Sequence, residues 1–274
     1  MSEPADPLAR IAAALEALVG NAAAPPDWRA APAYVWDGAA RPVEAVAAPP
    51  LALIKGIDAQ KAKVTVNVSR FAAGHAAHDM LLWGARGTGK SVLLRAAVAE
   101  AQRLDRASIA LVQVAPEALG SLSALFTALA RIDRHFLVFI DDLGFEEGDT
   151  AGPRALRSWL EGGVEARPGN VRLAVTSNRR AIVPRHLSEQ DDPINPRDAV
   201  DDQLALADRF GLSLGFHACS QDDYLAIVAG YAQHHGLPFT EADALEWAKR
   251  RGARSGRVAW QFVTELAGAS GQPL

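Results

Sequence analysis

Residues 80–91 read MLLWGARGTGKS, an apolar run that breaks into three glycines and ends in a lysine and a serine. The stretch fits the pattern G-x-x-x-x-G-K-[ST], with Gly84, Gly89, Lys90 and Ser91 at the defined positions. Glycines let the backbone amides of such a loop close around an anion, and the helix that follows adds the partial positive charge of its N-terminus. The sequence therefore predicts a phosphate-binding loop between a buried strand and a helix.

The residues expected to surround the phosphates are Gly84, Ala85, Arg86, Gly87, Thr88, Gly89, Lys90 and Ser91. Lys90 is expected to reach the β and γ phosphates, and the Ser91 hydroxyl is expected to bind Mg²⁺. A dinucleotide-binding turn fits less well, because Val92 stands where the third glycine of that turn would be needed. A glycine turn with a surface lysine is the other alternative.

Short apolar runs alternate with helical segments along the middle of the chain. The runs at 79–84, 108–114, 135–142, 171–178 and 211–216 have the length of buried strands. Apolar residues with helical spacing lie between them at 91–104, 122–132 and 152–163. This order predicts an α/β fold in which helices flank a parallel sheet, as in P-loop NTPases.

Three domains are predicted from the change of pattern along the chain. Residues 1–50 are an alanine- and proline-rich N-terminal arm with one amphipathic helix at about 7–19. Residues 51–217 hold the α/β nucleotide-binding core. Residues 218–274 form a small helical domain, which opens with the helix start signal Ser220-x-x-Asp223 and continues with helices near 241–251 and 256–268.

Composition excludes several classes of protein. The 274 residues are 49% hydrophobic with a formal net charge of −4, which favours a packed core over a protein that coats nucleic acid by bulk charge. The single cysteine, Cys219, can form no intramolecular disulfide. The N-terminus lacks the basic region of a signal peptide, and no uncharged apolar stretch reaches the roughly 18 residues of a membrane span. We expect a cytoplasmic protein without a membrane segment.

Two aspartates follow the apolar run at 136–140 and supply the acidic partner that a phosphate loop needs. Asp141 is expected to hold Mg²⁺ through water, and Asp142 to orient or deprotonate an attacking water. An acidic pair at a strand end can instead cap the next helix. Asp142 is one methylene shorter than the glutamate usual at that place, so Glu146 and Glu147 are alternative bases, or part of a solvated loop.

Three further polar residues complete the candidate set. Asn178 ends the strand LAVTS and either hydrogen-bonds the γ phosphate or the lytic water, or belongs to a turn. Arg209 precedes the last strand and is either a surface charge or an arginine finger that reaches a neighbouring subunit. Arg257 begins a helix of the small domain and is either a solvated charge or a group that faces the phosphates.

In this order, the motifs resemble those of the AAA+ ATPases. From about residue 51 to 268 the chain is also similar to a bacterial family of ATP-binding proteins of unassigned function, through LLWGARGTGKS, DDLGFEEGDT, LEGGVEARPGNV, TSNRR, DRFGLSLGF and RSGRVAWQF. The resemblance implies an AAA+ core with a helical lid. It places Asn178 at sensor 1, Arg209 at the arginine finger and Arg257 at sensor 2, and it puts Gly56, Ile57 and Gln60 near the adenine.

The function expected from the motifs and the resemblance is a Mg²⁺-dependent ATPase that forms a homo-oligomer. It would couple ATP binding and hydrolysis to the remodelling or loading of a macromolecular partner, a protein client of unknown identity. A nucleotide-dependent switch with little turnover is the main alternative, since Asp142 replaces a glutamate, and a P-loop kinase is a weaker one.

Nucleic acid is a further candidate partner, and two other features have simple explanations. Five arginines could gather into a basic face that binds nucleic acid: Arg179, Arg180, Arg250, Arg251 and Arg254. They lack the interleaved aromatic residues typical of a nucleic-acid-binding segment. His75 and His78 have no cysteine companion nearby and are interpreted as surface histidines rather than a metal site. Cys219 has no neighbouring base in the sequence and is expected to be inert.

Overall fold

The computed structural model describes residues 26–144, 156, 159–160, 167–178 and 208–274. The strands are β1 Ala33–Trp36, β2 Ala40–Val43, β3 Met80–Gly84, β4 Ile109–Val114, β5 His135–Ile140, β6 Val171–Ser177 and β7 Leu212–Phe216. The α-helices in the described residues are α1 Asp58–Ala72, α2 Lys90–Leu104, α3 Leu122–Leu129, α4 Gln221–His234, α5 Glu241–Arg251 and α6 Gly256–Ala269. Short 3-10 helices lie at Leu51–Leu53 and Pro116–Ser121.

The seven strands form one sheet in the order β2-β1-β4-β5-β6-β3-β7. All neighbours pair in parallel except β1 and β2. The five strands predicted in the middle of the chain are β3 to β7, so the predicted α/β fold class is confirmed. Strand β3 lies between β6 and β7, and the carboxyl ends of these three strands meet at one edge of the sheet, where α/β proteins bind ligands.

Both faces of the sheet are covered, which explains why its strands are continuous apolar runs. Side chains alternate between the faces: Leu81 packs on the side of α3, whereas Met80 and Leu82 pack on the side of α1 and α2. All three of these side chains are fully buried. The phosphate loop therefore starts from a strand that is held in position on both sides.

The C-terminal helices α4, α5 and α6 have an apolar core of their own, centred on Tyr224, Val228 and Phe262. The predicted helix start at Ser220 is confirmed, because its side chain and that of Asp223 form a reciprocal capping box. The buried Tyr224 hydroxyl donates to the Ala244 carbonyl at 3.0 Å and ties α4 to α5. No helix in the described ranges is long and apolar enough to cross a membrane.

Part of the predicted N-terminal arm belongs to the sheet. Strands β1 and β2 form a hairpin, and β1 extends the sheet by parallel pairing with β4. Trp28, Tyr34 and Trp36 are buried against it. The helix predicted at 7–19 lies outside the described residues; of the one predicted at 152–163, only residues 156, 159 and 160 are described, and they are helical. The division into three domains stays a prediction.

A buried arginine fastens this N-terminal segment. The Arg134 guanidinium donates to the carbonyls of Trp28, Arg29 and Ala31 on the segment, at 3.1, 3.3 and 2.7 Å. It also donates to the carbonyls of Arg106 and Ile109 beside β4, at 3.0 and 3.1 Å. Burial lowers the pKa of Arg134 from its usual value, and Tyr34 acts in the opposite direction. The segment is thus held by main-chain acceptors that converge on one cation.

Candidate nucleotide-binding site

The loop between β3 and α2 has a backbone that glycine alone adopts easily. Gly84 has a φ of +137°, and a Cβ there would lie 2.1 Å from the carbonyl oxygen of Phe216 on β7. Gly89, at the N-cap of α2, has a φ of +94°. Because L side chains rarely adopt such angles, the glycines predicted from the motif are required by this geometry.

Lys90, the first residue of α2, is buried with only 7% of its surface exposed. Its ammonium donates to the carbonyls of Gly84 and Ala85 at 2.5 and 2.8 Å. Burial lowers the pKa of Lys90 from its usual value, whereas the carboxylates of Asp142 and Asp141 act in the opposite direction. A desolvated cation that points into a glycine loop gains most from an anionic ligand, and phosphate is such a ligand.

Asp141 and Ser91 meet at the mouth of the loop. The Ser91 hydroxyl donates to Asp141 Oδ1 at 2.6 Å, and the Thr176 hydroxyl donates to the same oxygen at 2.5 Å. These are hard oxygen donors, the type that Mg²⁺ prefers, and Mg²⁺ usually takes one or two protein ligands together with substrate phosphates. The residues present therefore fit a magnesium ion. Among the described residues, no group of three or more His, Cys, Asp or Glu side chains could hold a metal.

Asp142 is held by three side chains. Its amide donates to the Thr176 hydroxyl at 2.8 Å, its Oδ1 accepts from the Asn178 amide, and its Oδ2 accepts from the Arg86 guanidinium at 3.0 Å. Its φ of +54° is the only positive value at a non-glycine residue in the described ranges. Backbone strain of this kind persists where surrounding contacts impose it, and it is frequent at functional sites.

The start of α6 contacts the phosphate loop directly. The Gly256 amide donates to the Gly87 carbonyl at 3.2 Å. A Cβ on Gly87 would lie 3.1 Å from the Cβ and Oγ of Ser255, the N-cap residue, and 3.9 Å from the Cβ of Arg257. Arg257 is exposed. Arg257, the residue predicted to face the phosphates, therefore lies beside the phosphate loop.

The stretch at 53–61 lies between the core and α4. The Ile57 Cδ1 would be 3.4 Å from a Cβ on Gly89, which places this side chain beside the phosphate loop. A Cβ on Gly56 would come within 2.9 Å of the Asp223 Cβ on α4. The Gln60 amide donates to the Gly215 carbonyl of β7 at 3.0 Å. These contacts put the predicted adenine-binding residues next to the loop, on its α4 side.

Arg209 lies away from this loop. It is half-buried and precedes β7, whose first residue, Leu212, pairs with Met80 at the start of β3. The phosphate loop leaves the other end of β3 at Gly84, four residues later. Since strands rise about 3.3 Å per residue, the two ends of β3 are separated by roughly 13 Å. Arg209 is therefore at the opposite edge of the sheet from the loop of its own chain.

The other candidates have ordinary surroundings or lie outside the described residues. Glu146, Glu147, Arg179 and Arg180 belong to the latter group. Arg250 pairs with Glu246 at 3.7 Å, Arg251 lies over the Trp247 ring at 4.7 Å, and Arg254 donates to Gln221 at 3.5 Å. Burial raises the pKa of Cys219 to about 11, which makes the thiol a poor nucleophile at neutral pH.

Sequence reasoning missed three participants in the site. Thr176 bridges the two aspartates, Ser255 touches the loop from α6, and Arg86 pairs with Asp142 rather than only lining the phosphates. A serine just before a helix is a recognisable N-cap signal, and Thr176 stands two residues before Asn178. Nothing in the spacing of Arg86 and Asp142 indicates their contact.

The sheet order, the glycine loop and the C-terminal helices define the class: the protein has the fold of the AAA+ P-loop ATPase superfamily. A family model described as "Protein of unknown function (DUF815)" matches residues 29–270, and the chain belongs to this family. No curated protein matches the chain.

Solved structures are similar at low identity. The RuvB Holliday junction branch migration motor of Thermotoga maritima has a TM-score of 0.53 and 18% identity over 80% of this chain. A mutant form of the same RuvB has a TM-score of 0.55 and 18% identity, covering 82% of this chain and 69% of its own. The AAA domain of FIGL-1, in complex with ADP, has a TM-score of 0.51 and 19% identity, with 80% and 73% covered. The chain spans 65% of the length of the first RuvB chain, and the likeness concerns the fold.

Proposed function

We propose that the protein binds ATP with Mg²⁺ and hydrolyses it, and that it couples this cycle to the remodelling or loading of a macromolecular partner. The observation that supports the proposal most directly is the 2.6 Å contact between Ser91 and Asp141 beside the phosphate loop. It joins the residue after the loop lysine to the acid at the end of β5, which is separated from β3 in the sheet by β6. Ser91 and Asp141 would hold Mg²⁺, which when bound neutralises phosphate charge.

Each remaining group in the site has one task in this proposal. Lys90 binds the phosphates, because its buried ammonium exchanges main-chain carbonyls for a stronger anionic partner. Asp142 and Asn178, joined by a hydrogen bond, orient the attacking water. Ile57 contacts the adenine and Arg257 the phosphates from the start of α6. The C-terminal helices α4 to α6 thereby respond to whether the phosphate loop holds a nucleotide.

A homo-oligomer with shared sites is supported by the position of Arg209. An arginine at the far edge of the sheet cannot serve the loop of its own chain, whereas in a ring or filament that edge can face a neighbour's loop. Arginine fingers supplied by a second subunit stabilise the charge that develops in phosphoryl transfer. The client is proposed to be a protein, and nucleic acid is the second candidate partner.

An ATP-dependent switch with little turnover is the second candidate function, and one observation favours it. Asp142 has a short side chain whose two oxygens already accept hydrogen bonds from Arg86 and Asn178. In this second function the two contacts hold the carboxylate away from a water molecule, whereas in the ATPase they orient it. Nothing comparable favours a P-loop kinase.

The binding of a fluorescent ATP analogue tests the proposal. Lys90→Ala should weaken binding at least tenfold, because it removes the buried ammonium that faces the phosphates. Lys63→Ala is the matched control, since Lys63 is exposed on α1, and it should leave binding unchanged. Affinity that survives Lys90→Ala within threefold would show that the loop does not hold the phosphates. Steady-state phosphate release then separates the ATPase from the switch.

A further inference from the structure

Arg86 stands inside the phosphate loop, yet its guanidinium turns toward the end of β5. It donates to Asp142 Oδ2 at 3.0 Å, and this ion pair joins residues that are 56 positions apart in the chain. The side chains of Arg86 and Asp142 are 73% and 50% exposed. Exposed pairs of this kind contribute little to stability. The pair is therefore better explained by the position that it gives to one of its members.

Asp142 is the member that needs to be positioned. Its carboxylate is short, and the backbone at φ +54° turns it from the end of β5 toward the phosphate loop. The Thr176 hydroxyl holds its amide and Asn178 holds one carboxylate oxygen, both from the end of β6. The Lys90 ammonium also attracts the carboxylate, but without a hydrogen bond between them among those described. Arg86 supplies the hydrogen bond in the described site that draws the other oxygen toward the loop and opposes relaxation of the strained backbone.

We infer that Arg86 is the positioning residue for Asp142, so that the phosphate loop itself sets the place of the acid that orients water. This inference rests on the proposed ATPase function. It differs from a role in phosphate binding, because Arg86 acts through Asp142 and not on the nucleotide. It also explains how an aspartate can serve where the usual side chain is one methylene longer: the cation on the loop draws the shorter carboxylate forward.

Steady-state ATP hydrolysis by five variants tests the inference. Arg86→Gln should lower kcat by about 10- to 100-fold, which reaches only the lower end of the roughly 10²–10⁴-fold that a positioned acid or base contributes because Asp142 itself remains, and should change KM for ATP by less than about threefold. Arg86→Lys keeps the charge and should recover part of that loss. Adding Arg86→Gln to Asp142→Asn should cost nothing beyond Asp142→Asn alone, since the residue acts through Asp142. Arg103→Gln, the control, removes an exposed pair with Glu100 at the far end of α2 and should change neither constant.

A second measurement needs no turnover. In the nucleotide-free protein, hydrogen exchange of the Asp142 amide should be about tenfold faster in Arg86→Gln than in wild type, because the strained backbone is released from Thr176. The Arg103→Gln variant should exchange at the wild-type rate.

The outcomes separate the inference from the proposed function. A raised KM, or a further loss of kcat in the double variant, would show that Arg86 acts on the nucleotide and would overturn the inference while leaving the ATPase intact. Unchanged kcat and unchanged exchange would overturn it as well. A wild-type protein that binds ATP without hydrolysing it would refute the ATPase, and the exchange rate would then decide whether Arg86 holds Asp142.

Discussion

Replacing Gly87 by alanine tests whether α6 is seated on the phosphate loop. Gly87 has a φ of +80°, and a Cβ there would lie 3.1 Å from both the Cβ and the Oγ of Ser255. The Ser255 hydroxyl cannot turn away without loss, because it accepts the N-cap bond from the Val258 amide at 3.2 Å. The substitution must therefore strain the loop and displace the start of α6.

The magnitude follows from three contributions. Alanine at a positive φ costs about 1–2 kcal/mol. Loss of the serine N-cap and of the Gly256–Gly87 hydrogen bond costs about 1 kcal/mol each. Because displacement breaks these only in part, we expect Gly87→Ala to lower the free energy of unfolding by about 2–3 kcal/mol. Gly252→Ala has the same kind of strain at φ +69° with nothing within 4 Å, so about 1–2 kcal/mol is expected there.

Urea unfolding followed by circular dichroism measures both losses. Combining Gly87→Ala with Ser255→Gly should recover about 1 kcal/mol, because glycine is nearly as good an N-cap as serine and removes the colliding atoms. Equal losses for Gly87→Ala and Gly252→Ala, with no recovery in the double variant, would refute the seating of α6 on the loop. The affinity for a fluorescent ATP analogue should fall in Gly87→Ala and stay unchanged in Gly252→Ala.

The remaining predictions concern the acids, the shared site and the thiol. Asp141→Ala should abolish magnesium-dependent ATP binding, whereas Asp142→Asn should keep ATP bound and slow its cleavage; equal phosphate release by Asp142→Asn and wild type would remove Asp142 from the chemistry. Arg209→Ala should bind ATP and hydrolyse it at least about 10³-fold more slowly, and mixing it with Lys90→Ala protein should restore part of the activity; a mixture that co-assembles but stays inactive would argue against a finger in trans. Cys219, with its pKa raised to about 11 by burial, should react with iodoacetamide at pH 8 at least tenfold more slowly than in the urea-unfolded protein, and faster as the pH rises toward 11.

The core strands could be predicted because a strand that is buried on both faces has apolar residues at nearly every position. In β5, for example, residues 136–140 are apolar without interruption and all are buried. The hairpin has a weaker sequence signal, because β1 and β2 have only four residues each and Pro42 interrupts β2. Strand β1 is recognisable only by its pairing with β4, a contact that spans more than 70 residues of chain. Long-range pairing of this kind has no local signal.

Helix α1 shows the same limit. Val64, Val66 and Val68 alternate with polar residues, which is the period of a strand, yet the segment is helical. Its buried face includes Val64, Val68 and Phe71, whereas Val66 is 49% exposed. Packing against the sheet and α2 decides between the helical and the strand period, and this packing cannot be recognised in the local sequence.

The sequence motifs predict members of the candidate site but not the contacts between them. The motif identifies the loop, and strand order brings the residues after β5 and β6 to the same edge. The pairing of Arg86 with Asp142 depends on the positive φ at Asp142 and on the path of the loop, which are tertiary properties. The far-edge position of Arg209 likewise appears only once β7 is paired with β3.

The hydrogen bonds between Arg134 and the N-terminal segment have a consequence for the order in which the chain folds. The carbonyls that it binds on the N-terminal segment precede it by 103 to 106 residues. During synthesis, Trp28 and the hairpin leave the ribosome well before the cation that fastens them and before the strand that β1 pairs with. At about 5–20 residues per second, translation leaves this aromatic-rich segment for several seconds with β2 as the only strand of the sheet that β1 can pair with. One side of β1 therefore stays open until β4 is made, and the segment gains its cation only when Arg134 follows.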